Sequence, residues 1–247
     1  MPESITAVEI IRQSHQGISI KPFIVRGDDG APYFVKGLEK AGGPALISEV
    51  LGAELGIRLG LPIPDWKLMR VPNELIAFSA IPNVTDLGGG LAFASRAVEN
   101  ASDFSVSNID RTPVDLRRRV LLFDLWVKNG DRCLGELGGN VNLILDSSGS
   151  LSVIDHNMAF DRTFSGTDLM ETHVFRECRS FFRDLVVRQE HMEILSKAVG
   201  DWGTITALLP DDWLYRDSDN IDLTEPTVAE RLEMLEVFKE ERFWGEL

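Results

Sequence analysis

The chain has 247 residues, 44% of them apolar and 26% charged, with 39 acidic against 25 basic side chains and a formal net charge of −14. That excludes an intrinsically disordered protein, gives enough chain for one large domain or two lobes of about 100–150 residues, and argues against general nucleic-acid binding, because phosphates are repelled unless a local basic patch overrides the field. No apolar run approaches the ~20 residues that cross a bilayer, residues 1–10 lack the basic start of a secretory signal, and Cys133 and Cys178 form no framework for disulfides or zinc, so a reduced, cytoplasmic protein is expected.

In chain order, residues 19–37 read as a hairpin. Ile20, Phe23 and Val25 precede the turn cluster Gly27, Asp28, Asp29, Gly30, after which Tyr33, Phe34, Val35 and Lys36 resume extended character. Residues 42–59 then carry Ile47, Val50, Leu51, Leu55 and Leu59 at helical spacing. The run Gly60, Leu61, Pro62, Ile63, Pro64 ends that helix, since proline removes a backbone donor and disfavours helix in the residue before it. Residues 67–71 and 75–81 read as two more strands. The expected small domain, residues 1–82, is therefore strand, strand, helix, strand, strand, with Gly88, Gly89 and Gly90 as a flexible link beyond it.

Residues 83–247 are expected to be mainly helical. A helix over 113–126 places Leu116, Val120, Phe123 and Val127 on one stripe, and its Arg117, Arg118 and Arg119 on a solvated face. Residues 140–145 and 151–154 flank an Asp, Ser, Ser, Gly turn and read as a second hairpin. Helices follow near 170–187, 189–199 and 227–242, the last opening on a capping box from Thr227 to Glu230.

The densest polar constellation is Asp124, Asn129, Asp131, Arg132, Asn140, Asn142 and Asp155, set around one loop and that second hairpin. Carboxylates and amides in such loops are oxygen donors for a hard cation such as magnesium, which keeps waters and binds through one or two carboxylates plus substrate phosphates. Asn142 lies in the first strand and Asp155 ends the second, so the hairpin brings distant groups to one end of its sheet. A phosphate compound handled by so acidic a protein needs a local site of this kind. His156 beside Asp155 reads first as a hydrogen-bonded structural residue.

These residues, in the order Asn129-x-Asp131-Arg132, then Asn140-x-Asn142-Leu143, then Ile154-Asp155-His156, resemble the catalytic core of the HipA-like kinases, distant relatives of phosphatidylinositol kinases and eukaryotic protein kinases. The resemblance extends to Tyr33–Phe34–Val35–Lys36–Gly37, to Ser48–Glu49, to Leu59–Gly60–Leu61–Pro62–Ile63–Pro64 and to Leu209–Pro210–Asp211–Asp212–Trp213. It implies an α+β, two-lobed protein-kinase-like fold with a small β-rich N-lobe and a mainly helical C-lobe.

The activity it implies is an ATP- and magnesium-dependent transfer of phosphate to an alcohol, a protein Ser or Thr in the first instance, in a family some of whose members are toxins paired with an antitoxin protein. By the same resemblance Lys36 meets the α and β phosphates as a point charge. Asp131 accepts or orients the proton of the attacking hydroxyl, Asn142 or Asn140 holds magnesium, and Asp155 holds the metal that bridges the phosphates. Glu49 matches the family's acidic partner for the lysine, whereas Glu54 lies within the apolar arc of the helix, where an unpaired carboxylate is costly; both stand as candidates. Ser14 and Gly17 fall where the family has its phosphate turn, and the adenine is expected against the linking strand at Phe78 to Ile81.

Two departures stand out. Asn140 and Asn142 follow Asp131 by nine and eleven residues, a lengthened loop, and no GxGxxG motif precedes the first helix. The lengthened loop keeps open a nucleotide-binding pseudokinase that acts as an interaction protein, and the sequence alone also admits a kinase of small molecules or lipid head groups. The acidic balance disfavours docking on an anionic membrane.

Overall fold

The computed structural model describes residues 4–15, 20–134, 139–217 and 219–247. The chain divides into two compact units. The first comprises residues 1–50, 64–99 and 207–225, and the second residues 51–63, 100–206 and 226–247.

The first unit is built on five strands that close into a barrel in the order β1, β2, β3, β5, β4: β1 (Ser4–Gln13), β2 (Phe23–Gly27), β3 (Pro32–Lys36), β4 (Trp66–Val71) and β5 (Gly90–Arg96). The β2–β3 hairpin is the one the Gly-Asp-Asp-Gly turn predicts, with Phe23 opposite Val35 and Val25 opposite Tyr33. Closure comes from β1, which pairs antiparallel with β2 and parallel with β4. Alternate residues point inward, as the period of two in a strand requires, so Phe23, Val25, Tyr33, Val35, Met69, Val71, Ala92 and Ala94 fill the barrel.

Three expectations are corrected here. Residues 4–13 form a strand that the sequence reading did not assign. Residues 75–81 are not a strand: α2 (Asn73–Ala77) occupies the start of that stretch, and Phe78 beyond it is 89% exposed. The glycine run opens β5 rather than a linker, so the first unit continues to Glu99 instead of ending near residue 82, and residues 207–225 also belong to it. The barrel is the reason, because β3 and β4 would each lack a neighbour without β5.

Helix α1 (Leu38–Arg58) bends at Gly42, whose φ of 73° is the left-handed conformation that glycine adopts without steric cost. From Leu46 to Ala53 every residue of α1 is buried.

In the second unit, α3 (Val114–Trp126) is buried on all sides from Val120 onward, with Trp126 Nε1 donating to the Leu235 carbonyl at 3.0 Å. Its arginines are not a solvated face. Arg117 pairs with Glu177 at 2.9 Å, Arg118 stacks 3.7 Å from the Phe181 ring centroid, and Arg119 donates to the Gly60 carbonyl at 2.9 Å. The cover comes in part from a 3-10 helix, Arg176–Arg183, packed along α3.

Strands β6 (Ser102–Asp103), β7 (Leu143–Leu145) and β8 (Leu151–Val153) form a small antiparallel sheet. Two helices expected across 170–199 are instead α4 (Gly166–Thr172), that 3-10 helix and one long α5 (Leu185–Gly200), with α5 capped by the Asp184 carboxylate. The short α6 (Trp202–Thr206) follows in this unit, and α7 (Asp211–Leu214) returns to the first. The chain ends in α8 (Val228–Glu236), which opens on the expected capping box, and α9 (Glu241–Gly245). Among the described residues no helix is long and apolar enough to cross a membrane.

Candidate active site

In the first unit, β3 ends on Lys36 and α1 carries Glu49. Lys36 Nζ lies 2.5 Å from Glu49 Oε1, with side chains only 8% and 2% exposed. A cation and an anion so deeply buried are tolerable only as a pair. The structure pairs Lys36 with Glu49, and Glu54 is half-buried. Over this stretch α1 is enclosed all round, so Glu49 is as buried as the apolar residues beside it.

Ser14 is buried, and its backbone N–H donates to the Pro22 carbonyl at 2.8 Å where the chain passes from β1 to β2. Gly17 lies outside the described residues. Ile81 packs on the barrel core, its N–H donates to Ser79 Oγ at 3.2 Å and its carbonyl accepts from Val84 N–H at 3.3 Å. The backbone there is thus a tight turn rather than the linking strand expected at Phe78 to Ile81.

In the second unit, α3 delivers the chain into the loop that bears Asp131, and the β7–β8 hairpin supplies Asn142 and Asp155. Leu143 pairs with Val153, and Ile154 N–H donates to the Asn142 carbonyl at 3.1 Å, so Asn142 and Asp155 fall at the same end of the small sheet. Both sit in the left-handed region, with φ of 47° and 59°, conformations that cost free energy in non-glycine residues and cluster at functional sites. Despite the lengthened loop, both amides reach the same carboxylate: Asn140 Nδ2 donates to Asp131 Oδ2 at 2.7 Å and Asn142 Nδ2 at 3.0 Å.

Burial raises the Asp131 carboxyl above the usual carboxylate range, and the nearby Asp155 charge pushes the same way against the amides and Arg132. The arrangement therefore holds a basic carboxylate with one oxygen clamped and the other left for a donor. With their Nδ2 groups committed to Asp131, Asn140 and Asn142 keep carbonyl oxygens as acceptors, and Asp155 adds a carboxylate. That donor set is hard oxygen, the type that magnesium takes where it has few protein ligands and completes its shell with water and phosphate.

Beneath the loop, Asp124, Asn129 and Arg132 of the polar constellation join His173, which the sequence reading did not single out, in one network. Asp124, Asn129, Arg132 and His173 are all wholly buried. Asp124 Oδ2 accepts from Arg132 Nε at 2.7 Å and faces His173 Nε2 at 2.9 Å, while Asp124 Oδ1 accepts from Asn129 Nδ2 at 2.9 Å. Burial by itself would raise the Asp124 carboxyl, but the Arg132 guanidinium and His173 outweigh it and hold it below the ordinary value. One signal was visible, a lone aspartate inside the apolar run Val120 to Val127. Nothing in the spacing pointed to His173. His156 packs edge-on to Phe123, at 5.6 Å between ring centroids, and against Gly52 of α1. Cys178 is an inert buried thiol, pushed up to about 11 mainly by burial.

A family model described as HipA-like kinase matches residues 7–247. Among solved structures, the Helicobacter pylori proinflammatory kinase CtkA superposes with a TM-score of 0.54 at 12% identity, covering 99% of this chain and 97% of that one; at that identity the likeness is one of fold. The FAT and kinase domain of CtTel1 (TM-score 0.29, 15% identity, 94% of this chain and 21% of that one) and the MAP kinase LmaMPK10 from Leishmania major (0.26, 9%, 95% and 85%) are too distant to carry an argument. No curated protein matches the chain.

Proposed function

This chain belongs to the HipA-like kinase family, and from that premise we propose that it is an ATP- and magnesium-dependent phosphotransferase whose acceptor is an alcohol, a protein Ser or Thr hydroxyl in the first instance. The observation that carries the proposal is the double clamp on Asp131 by Asn140 and Asn142, with Asp155 at the same end of the hairpin.

In this reading Asp131 takes the proton of the attacking hydroxyl through the oxygen its amides leave open. Its raised pKa makes it a better proton acceptor than an exposed aspartate, as a general base requires. Asn142 or Asn140, through an amide oxygen, and Asp155, through its carboxylate, would hold magnesium. When bound, that ion supplies charge neutralisation at the phosphate oxygens. Lys36, steadied by Glu49, would neutralise further phosphate charge, which a chain of net charge −14 otherwise repels. Little bond-making falls to the protein in phosphoryl transfer, so positioning and charge carry the catalysis.

The acidic balance supports a protein acceptor over an anionic lipid surface. The pseudokinase alternative loses its main support, because the lengthened loop still returns both amides to Asp131. The test is transfer of labelled phosphate from ATP with magnesium to the protein itself or to a protein mixture, using the full chain and the folded variants Asp131→Asn and Asp155→Asn. Transfer by the full chain that both variants lose supports the reading. No transfer by the full chain, or transfer that both variants retain, sinks it.

A further inference from the structure

The cluster around Asp124 does more than neutralise itself. Arg132 Nη1 lies within hydrogen-bonding distance of three backbone carbonyls, Val141 at 3.2 Å, Asn142 at 2.5 Å and Ile154 at 3.3 Å. A single guanidinium thus ties the loop after α3 to the entry of β7 and the exit of β8. Those two points carry Asn142 and Asp155, the residues in left-handed conformation. Such conformations persist only where surrounding contacts over-determine them, and the guanidinium supplies such contacts at both.

The guanidinium is itself held on its other edge. Asp124 accepts from Arg132 Nε and from Asn129 Nδ2, and faces His173 Nε2. The imidazole cannot turn, because the Phe175 backbone N–H donates to His173 Nδ1 at 3.0 Å, which leaves the hydrogen on Nε2 facing Asp124. A wholly buried ion pair gives little or no net stability over apolar side chains of the same volume. Its planar, forked geometry, by contrast, fixes directions that apolar groups cannot.

We propose that Asp124 and His173 are positioning residues for phosphoryl transfer: they lock Arg132 in the orientation that pins the backbone at Asn142 and Ile154, and so aim the Asn142 and Asp155 side chains at one cation. This rests on the reading of Asn142 and Asp155 as cation-holding residues. It goes beyond that reading by assigning the aim to three buried side chains that touch neither cation nor substrate.

The experiment compares the full chain with Arg132→Lys, His173→Phe and His173→Gln. Lysine keeps the charge opposite Asp124 but cannot reach three carbonyls at once. Phenylalanine keeps the ring and removes its hydrogen bonds, whereas glutamine restores a donor. Each protein is titrated with Mn2+ alone by electron paramagnetic resonance, and its ATP turnover is resolved into kcat and KM. Variants that melt cooperatively are expected to bind Mn2+ about 10- to 100-fold more weakly in the Lys and Phe cases, the usual effect of removing an outer-shell partner. kcat is expected to fall with the ATP KM nearly unchanged, and His173→Gln is expected to recover most of both losses. Wild-type Mn2+ affinity in folded Arg132→Lys and His173→Phe overturns the proposal, as does a full chain that binds no Mn2+. Should Arg132→Lys not fold, the His173 pair decides alone, because a merely structural histidine would show no rescue of Mn2+ affinity by glutamine. Mn2+ binding that depends on Arg132 in a chain that turns over no ATP would defeat the phosphotransferase reading and leave the positioning role intact.

Discussion

Lys36 and Glu49 form a 2.5 Å ion pair at the junction of a barrel strand and the first helix, with both side chains almost wholly removed from solvent. Breaking one partner of a buried pair leaves an uncompensated charge, which costs about 3–5 kcal/mol. Glu49→Gln, which keeps a hydrogen-bond acceptor, is expected to lose about 3 kcal/mol in urea unfolding. The double variant Lys36→Met/Glu49→Leu is expected to recover much of that stability, because the apolar pair removes both charges together, yet to lose nucleotide binding measured by calorimetry. Wild-type nucleotide affinity in the stable double variant would remove Lys36 from the phosphate site.

Gly52 is a second point where one atom decides. A β-carbon there would sit 2.5 Å from His156 Cβ and 2.8 Å from its Cγ, so the residue next to Asp155 would have to move. Overpacking of this kind costs about 1–3 kcal/mol. Gly52→Ala is expected to lower the melting temperature, and also to raise the magnesium concentration needed for half-maximal transfer. A variant that melts lower with an unchanged magnesium requirement would show that the displacement stops at His156.

Where the sequence was legible, local chemistry and long-range structure agreed. The hairpin over β2 and β3 announced itself because its turn residues and its alternation are both local. The same locality placed Asn142 and Asp155 at one sheet end, since the β7–β8 register depends on a four-residue turn. By contrast, β1 gains its second neighbour, β4, from far along the chain, and β5 opens on the last of three glycines and turns the small Ala92 and Ala94 inward, so it looked like a link. The apolar residues Leu75, Ile76 and Phe78 looked like a strand because a short apolar stretch fits either period. His173, 49 residues from Asp124, joins the network only through tertiary packing that no spacing encodes.

Asp131 gives a prediction in which stability and activity move apart. Burial first, then the Asp155 charge, raise its pKa above the ordinary 3.8. Between that value and the raised one the folded apo protein holds its proton more tightly than the unfolded chain does, so stability falls as pH rises through this window. At neutral pH the ionised carboxylate is a cost that Asp131→Asn removes. The variant is expected to be at least as stable as the parent at pH 7, with the difference vanishing below the unfolded value, while phosphate transfer falls by about 10²–10⁴-fold, the usual worth of a general base. Chemical denaturation across pH, paired with transfer assays at pH 7, checks both halves. A less stable Asp131→Asn, or one that keeps full activity, contradicts this account.

Asp124 gives the opposite sign. Although burial opposes its ionisation, Arg132 and His173 hold its pKa below the ordinary 3.8. The unfolded chain therefore takes up a proton before the folded protein does as pH falls, so the stabilisation is complete above the unfolded value and is lost as pH drops through the lowered one. Asp124→Asn leaves the Arg132 charge buried without its counter-ion and is expected to cost about 3–5 kcal/mol at pH 7. Its deficit relative to the parent should shrink below pH 3.8, because the unfolded parent then takes up a proton that the folded parent does not. Adding Arg132→Met to Asp124→Asn removes the orphaned cation, so the double variant is expected to be more stable than the single one, a coupling that a double-mutant cycle reads directly. Additive losses in that cycle would mean that the two groups do not act as a pair, and a deficit constant from pH 7 to pH 3 would mean that Asp124 is not the ionised partner.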